Sequence, residues 1–358
     1  MTRNKVINDI VFTTNELPDV CILISVYNEA ASISQKISNC FETTYPREKI
    51  KVYIGSDGST DNTIEAAKQN DQTNVFIYEY ARMGKGNVIN NLMEVIGKNN
   101  SNIIVLTDVN VLFKREALYQ MVKHFKNEKI GLVGAWIHNI LSEQDIAKQE
   151  NFYIQQENHL KFAEGLWYGN MVGAFGAAYA IRPNINKPIP QNFVTDDLYI
   201  TTQIALNGYD CIIEPKSIAE EIVYPTQASE FKRKKRFSAG NFQVLFYHLS
   251  KFSKNPAFAF CFFSHKVLRW KLPFLLFSIP ILILYAGVET NLQKYLLFTS
   301  IVIVLAPFWN KLLINMGIEN KMTKFVAYFV SMNVAIGIGF FNYIKGIKSN
   351  VWEPTKRN

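Results

Sequence analysis

Acidic residues stand where several apolar runs of this chain end, and their neighbours suggest what they could do. Asp57 follows Lys51 to Ser56 (KVYIGS) and opens Asp57-Gly58-Ser59-Thr60-Asp61-Asn62. A carboxylate there can accept a hydrogen bond from a nucleobase N–H, and the glycine admits a tight turn. A plain strand-to-helix turn would use the same residues, with Thr60, Asp61 or Asn62 capping the next helix. Asp108 and Asn110 follow Asn102 to Thr107 (NIIVLT) as two oxygen-bearing side chains one residue apart. Mg2+ or Mn2+ bridging a diphosphate takes hard oxygen ligands of this kind, few of them from protein; a turn is again the simpler use. Asp196 and Asp197 follow Thr195. One of them, facing a cleft, could take the proton of a substrate hydroxyl, a role worth about 10²–10⁴ in rate. The other could cap the helix expected over Leu198 to Leu206.

The elements that must position these groups are legible as short β-branched runs separated by helical stretches. Val20 to Val26 (VCILISV), Lys51 to Ser56 and Asn102 to Thr107 read as buried strands, and Ala30 to Thr43, Asn62 to Gln69 and Gly86 to Ile96 as helices. Strands alternating with helices imply an α/β domain with a mostly parallel sheet. In such sheets ligands bind beyond the carboxyl ends of the strands. All three strands end there in polar groups: Tyr27-Asn28-Glu29, Asp57-Gly58-Ser59 and Asp108-Val109-Asn110.

The rest of the chain differs in kind. Leu272 to Val288, Tyr295 to Trp309 and Phe325 to Ile344 are apolar stretches near the length that crosses a bilayer, the second one short. Buried helices of a soluble domain are the alternative. Phe242 to Trp270 is rich in Phe with Lys251, Lys254, Lys266 and Arg269 interspersed, a pattern that suits helices in the headgroup layer. Ahead of it, Lys232 to Arg236 (KRKKR) suits phospholipid headgroups or a diphosphate better than nucleic acid, given the apolar stretches that follow. The formal net charge of +8 fits any of these anions. The scattered Cys21, Cys40, Cys211 and Cys261 lack paired metal-ligand spacing and read as reduced thiols. The first 20 residues carry acids and no long apolar core, so no cleaved signal peptide is expected, and what precedes the apolar stretches is expected to remain in the cytoplasm.

Taken in order, the motifs resemble glycosyltransferase family 2, whose membrane-bound members include cellulose, hyaluronan and chitin-oligosaccharide synthases. The resemblance spans about Pro18 to Gln243, with a similar membrane tail. Val26-Tyr27-Asn28-Glu29 resembles the opening nucleotide-contacting motif, and Asp57 the acid that binds the donor base. Arg82, with Gly84-Lys85-Gly86 and Asn90, resembles the segment near the nucleotide and its phosphates. Asp108-Val109-Asn110 stands at the metal-binding Asp-x-Asp position, with Asn110 replacing the second Asp. Thr195-Asp196-Asp197 matches the element whose last Asp is the base, and Arg233 to Phe237 (RKKRF) falls where membrane-bound members carry Gln-x-x-Arg-Trp.

The resemblance implies a GT-A type α/β domain over residues 1–230, a basic motif with interfacial helices over 231–271, and about three transmembrane helices in 272–358. It further implies an inverting transfer from a nucleotide-diphosphate sugar, a UDP-sugar in this reading, to a glycan or lipid-linked hydroxyl in envelope or extracellular polysaccharide synthesis. Tyr27, Glu29, Asp57, Arg82, Lys85, Asp108 and Asp196 would hold the donor. Asp108 and Asn110 would hold Mg2+ or Mn2+, Asp197 would be the base, and Arg233 and Arg236 would meet the charge of the diphosphate. The location implied is a multi-pass protein of the cell inner membrane, with nucleic acid no partner. Rival readings are a single-addition transferase acting on a lipid-linked acceptor, an inactive transferase-like binding protein, and a nucleic-acid-binding membrane protein.

Overall fold

The computed structural model describes residues 16–70, 73–97, 103–141, 145–223 and 226–347. The stretch before residue 16 and the basic residues Lys348, Lys356 and Arg357 lie outside them. The described residues form two compact units, 16–223 with 244–262, and 226–243 with 263–347.

In the first unit the run VCILISV forms β1 (Val20–Val26), buried along nearly its whole length as a strand without polar alternation should be. It lies between β2 (Ile50–Asp57) and β4 (Ile103–Thr107), parallel to both. The expected helices form as α1 (Ala30–Phe41), α2 (Thr63–Lys68) and α3 (Lys85–Ile96). Ile33 and Ile37 of α1 pack with Ile22, Ile24, Val52 and Ile54 in the core. Outside β2, β3 (Val75–Tyr80) adds in parallel with every residue at least partly exposed. A run with no dry face is hard to read as a strand, and the sequence pattern missed it.

The unit continues through β5 (Val111–Phe113), α4 (Ala117–Val122), β6 (Ile130–Leu141), α5 (Asp145–Tyr168), β7 (Ala178–Ile181), α6 (Asp196–Leu206) and β8 (Asp210–Val223). The eight strands lie in the order β3-β2-β1-β4-β7-β6-β8-β5. β4–β7, β7–β6 and β8–β5 are antiparallel and the other pairs parallel, so the sheet is mixed. β8 was illegible because it is interrupted. Its register against β6 jumps from Ala135↔Glu214 to Trp136↔Ile218, which takes Pro215, unable to donate to the ladder, out of the pairing. Segment 244–262 packs on this unit through Tyr247, which meets Phe193 and Tyr199, and through Asn255, which donates to the Ala205 carbonyl at 3.0 Å. Phe252, Phe258 and Phe262, expected in a headgroup layer, are buried against one another, whereas Phe246, Leu249 and Phe260 are exposed.

In the second unit the basic run lies on α7 (Gln227–His248). One helical stretch runs from Pro256 to Tyr285, through α8 (Pro256–Cys261) in the first unit and α9 (Leu268–Tyr285) in the second. α10 (Asn291–Val304) and α11 (Ala306–Asn315) follow, bent by 56° at a break where Pro307 starts the second helix. α12 (Lys321–Ile344) closes the series. The stretches 256–285 and 321–344 are long and apolar enough to cross a membrane, and the bent pair makes a third if it is one span. The middle stretch, Tyr295 to Trp309, is thus the irregular one. α7 packs on α12 where Gly339 lacks a side chain: a Cβ there would fall 2.5 Å from that of Ser238.

Candidate active site

Tyr27, Asp57 and Asp108 all emerge from the carboxyl ends of parallel strands, and short contacts tie these ends together. Asn28 takes a left-handed backbone (φ 53°), which Asn tolerates, and its Oδ1 accepts the Thr60 N–H at 2.8 Å. Glu29 is buried and donates its backbone N–H to Thr63 Oγ1 at 2.8 Å. Asp61, rather than Thr60 or Asn62, accepts the first amide of α2, from Thr63 at 3.1 Å.

Asp57 is buried, and its oxygens face the protein. Oδ1 accepts the N–H groups of Met83 (2.7 Å) and Gly84 (2.9 Å), and Oδ2 pairs with the Arg82 guanidinium. That guanidinium also lies 3.3 Å from the centroid of the Tyr27 ring. Gly58 is required at the turn: its φ is +70°, and a Cβ would meet the Arg82 nitrogen at 2.9 Å. Asp57 therefore orders the Arg82–Lys85 segment and delivers Lys85 to the next strand end.

There Lys85 Nζ lies 2.8 Å from Asp108 Oδ1 and 3.6 Å from Asp196 Oδ2. Burial works against this ammonium, but Asp108, Asp196 and Asp197 outweigh it and hold its pKa above the usual lysine range. The turn carrying Asp108 is clamped from below. Lys36 of α1 is fully buried, donates to Thr107 Oγ1 at 3.0 Å and to the Val111 carbonyl, and lies 4.1 Å from the Phe113 ring centroid. Burial lowers its pKa to about 8, against the opposing pull of Cys40 and Asp108. Asn110 donates its amide to Glu221 Oε1 on β8 at 3.2 Å, which leaves the carbonyl end of that amide as a possible ligand. Among the described residues, the buried Asp196 Oδ2 has no hydrogen-bond partner beyond the 3.6 Å approach of Lys85. A carboxylate, an amide oxygen and this nearby acid are chemically suited to a hard divalent cation.

Because β7 runs antiparallel to β4, its start lies beside the end of β4: Thr107 Oγ1 and the Asp108 N–H both donate to the Ala177 carbonyl, at 2.9 and 3.1 Å. The preceding loop, Gly173 to Gly176, is thereby brought to the same edge. A Cβ on Gly176 would stand 3.1 Å from Asp197 Oδ2. Asp197 Oδ1 accepts the Leu198 N–H at 2.7 Å, so the residue both caps locally and faces the loop. Burial and Asp196 push its carboxyl up to about 6, against Lys85, the Leu198 amide and Lys161. Tyr179 of β7 is fully buried, with its pKa raised by burial and by Asp196, Asp197 and Asp108.

The sequence motifs thus converge on one sheet edge for Tyr27, Asp57, Arg82, Lys85, Asp108, Asp196 and Asp197. Arg233 and Arg236 belong to the second unit. Arg233 is gripped by the buried Glu230 through Nε (3.0 Å) and Nη2 (2.8 Å), and Arg236 lies 4.9 Å from the Phe237 ring centroid. Lys36 and Glu221 were missed. Lys36 had a readable signal, a cation in the apolar stripe Ile33, Ile37 and Cys40 at helical spacing; Glu221 had none.

Comparison with known proteins bears directly on this edge. Residues 21–187, from β1 to beyond β7, match the model of the family described as Glycosyl transferase family 2. The matched stretch, just under half of the chain, has the glycosyl transferase family 2 pattern. Asp57, Lys85 and Asp108 fall inside the matched range, and Asp196, Asp197 and the α7 arginines outside it. The chain is 23% identical over 285 residues to a poly-beta-1,6-N-acetyl-D-glucosamine synthase of Staphylococcus aureus (strain COL), covering 76% of this chain and 65% of that one. It thus spans about two thirds of the length of that relative. A beta-monoglucosyldiacylglycerol synthase of Nostoc sp. is 26% identical over 245 residues, covering 63% of this chain and 50% of the relative. In fold, the chain is similar to a mannosyltransferase of Pyrobaculum calidifontis solved with GDP-Man and Mn2+. The TM-score is 0.66 at 20% identity, over 93% of this chain and 90% of that one. The GT-A type architecture is shared.

Proposed function

We propose that the chain is a membrane-bound inverting glycosyltransferase that moves a sugar from a nucleotide-diphosphate donor to a hydroxyl acceptor. The observation that carries this reading is Lys85, held between Asp108 and Asp196 with Asp197 beside them. One strand edge then offers a cation for phosphate and a carboxylate for the acceptor's proton. Tyr27 and Arg82 give a flat cationic surface for the base and ribose, and Asp57 holds that surface and Lys85 in place. Asp108 and the Asn110 carbonyl oxygen are the residues that would hold Mg2+ or Mn2+, whose chemistry there is neutralisation of the departing diphosphate. Asp197, ionised at neutral pH, takes the proton of the acceptor hydroxyl as that oxygen bonds to the anomeric carbon from the face opposite the diphosphate. A single displacement of this kind inverts the anomeric centre. A metal and a nucleotide sugar are supported by what the mannosyltransferase was solved with, and polysaccharide or glycolipid acceptors by the names of the relatives.

The test is a panel of nucleotide sugars, among them UDP-glucose, UDP-N-acetylglucosamine and GDP-mannose, offered to membranes containing the protein. Release of nucleoside diphosphate from one donor, abolished by chelation of divalent ions, is expected. Release that survives chelation removes the metal from the reading, and no release from any donor removes the function.

By its place in the family motif, Arg236 is the residue of α7 proposed to meet the diphosphate. Arg236→Ala is expected to lower turnover about 10²-fold, the scale of one lost transition-state donor, with membrane attachment unchanged. Lys234→Ala is expected to leave turnover nearly intact. A uniform mild loss across Lys232 to Arg236 would make the run a membrane anchor only.

The location proposed is the inner membrane with the transferase domain in the cytoplasm, where nucleotide sugars are made. Two full crossings, with the bent α10–α11 pair re-entrant, keep the basic end near Lys345 on the same side as the domain, as the positive-inside bias favours. A reporter fused after residue 358 is expected to be cytoplasmic; an external reporter means that the bent pair crosses.

A further inference from the structure

α5 is built inside out. From Glu150 onward its charged side chains, Glu150, Glu157, Lys161 and Glu164, are all buried, while Phe152, Leu160 and Trp167 are exposed, Trp167 by 72%. Each step from Phe152 to Leu160 to Trp167 is about two helical turns, so the three share one side of the helix and the four charges share another. The polar residues exposed with them are Gln155, Gln156 and His159, and no acid, lysine or arginine is exposed on this part of the helix. The buried charges have work within the unit: Glu164 accepts the Val172 N–H at 3.0 Å, and the Lys161 ammonium stands 3.4 Å from the centroid of the Phe175 ring. The exposed aromatic side has none there. A helix facing water carries the reverse pattern, and an uncharged aromatic patch marks a surface that something covers.

What lies next to this side identifies the cover. Tyr168, the neighbour of Trp167, sits 5.7 Å from the exposed Phe260 between ring centroids. Phe260 belongs to α8, where the stretch 256–285, long and apolar enough to cross a membrane, begins. The aromatic side of α5 is therefore continuous with the start of that stretch. The short 3-10 turn Leu249–Lys254 is held to α8 by Phe252 on Phe258, and it exposes Lys251 and Lys254, cations that suit anionic headgroups. Trp and Tyr are the side chains favoured where hydrocarbon meets water. We propose that the outer side of α5, from Phe152 to Trp167, is a lipid-contacting face that lays the transferase unit along the bilayer surface, a second attachment besides the apolar stretches. This rests on the stretch 256–285 entering a membrane. Since Glu164 and Lys161 hold residues 172 and 175 from the same helix, the loop beside Asp197 is carried on the element that meets the lipid.

The experiment places one cysteine at a time in the full chain, Phe152→Cys, Leu160→Cys or Trp167→Cys, and labels it with the polarity-sensitive dye nitrobenzoxadiazole. The native Cys21, Cys40, Cys211 and Cys261 are buried and stay unlabelled in the folded protein. Each variant is reconstituted in vesicles of phosphatidylethanolamine and phosphatidylglycerol, with a nitroxide-bearing phospholipid as quencher from the lipid and iodide as quencher from the water. Gln69→Cys, at an exposed residue just after α2, is the aqueous control, and Leu275→Cys, at an exposed residue of α9, the membrane control. The three α5 labels are expected to emit to the blue of the Gln69 label, to lose most of their fluorescence to the nitroxide lipid and to lose little to iodide. Labels on α5 that iodide quenches as strongly as the one at residue 69 overturn the proposal. Blue-shifted α5 labels that neither agent quenches also overturn it, because another protein surface, such as a second copy of the chain, then covers the face. A Leu275 label that the lipid does not quench removes the membrane reading itself; a quenched Leu275 label beside unquenched α5 labels removes only the role of α5.

Discussion

Asp197→Asn is expected to lower sugar transfer by about 10²–10⁴, the usual contribution of a general base, while donor affinity stays within a few-fold and the melting temperature rises. The amide keeps the shape of the side chain but cannot accept the acceptor's proton. The stability effect follows from the direction of the shift. Burial and Asp196 raise the carboxyl to about 6, so the folded protein resists ionising it more than the unfolded chain does. The resulting penalty is absent below the ordinary carboxylate pKa, grows as pH rises toward 6, and is fully present at neutral pH. Replacing the charge by a neutral isostere removes the penalty. An inactive and more stable variant is what a strained catalytic group should give. Loss of activity with a lower melting temperature would mark Asp197 as a structural residue, and transfer above about a tenth of wild type would move the base to Asp196.

Asp57→Asn is expected to damage donor binding and stability together. A carboxylate is an acceptor only, and this buried one receives two backbone N–H groups and a guanidinium. An amide offers one oxygen and turns an NH2 group toward one of those donors. Breaking a buried ion pair by neutralising one partner costs about 3–5 kcal/mol. The Arg82–Lys85 segment should loosen, releasing Arg82 from the Tyr27 ring and Lys85 from Asp108. The expected result is a fall in melting temperature and a loss of nucleotide affinity of at least about tenfold, equivalent to 1.4 kcal/mol, by calorimetry in detergent. Weaker nucleotide binding with an unchanged melting temperature would instead mean that Asp57 contacts the base and does not organise the segment.

The parts of this site that were legible in the sequence are those made by local pattern. β1, β2 and β4 are short dry runs, and each ends in the polar group that the fold uses, so the sequence pattern alone places Tyr27, Asp57 and Asp108 at one edge. The partners of those groups were less accessible. The sequence suggested a nucleobase for Asp57, whereas the folded chain gives both its oxygens to residues about 25 positions onward, because β3 runs parallel to β2 and sets Tyr80 beside Asp57, so the turn after it lies at that same strand end. The antiparallel β7 was illegible: a run of only four residues (AYAI) carries no sign of direction, yet that direction brings Gly176 against Asp197. The burial of α5 was hidden for a related reason. Its buried face is polar, so the apolar stripe that betrays a packed helix is missing. The second apolar stretch, short in the sequence, proves irregular, with Pro307 in the first turn after its bend.

The central claim is a single displacement at the anomeric carbon of a nucleotide-diphosphate sugar, with Asp197 removing the acceptor's proton. The measurement closest to it is the anomeric configuration of the first product, read by NMR coupling constants on glycan or glycolipid made by the membrane-embedded protein from the donor that the panel selects. The account expects the linkage to be inverted relative to the donor, and no product from Asp197→Asn. A retained configuration would contradict it, since one attack from the face opposite the diphosphate cannot leave the anomeric centre unchanged.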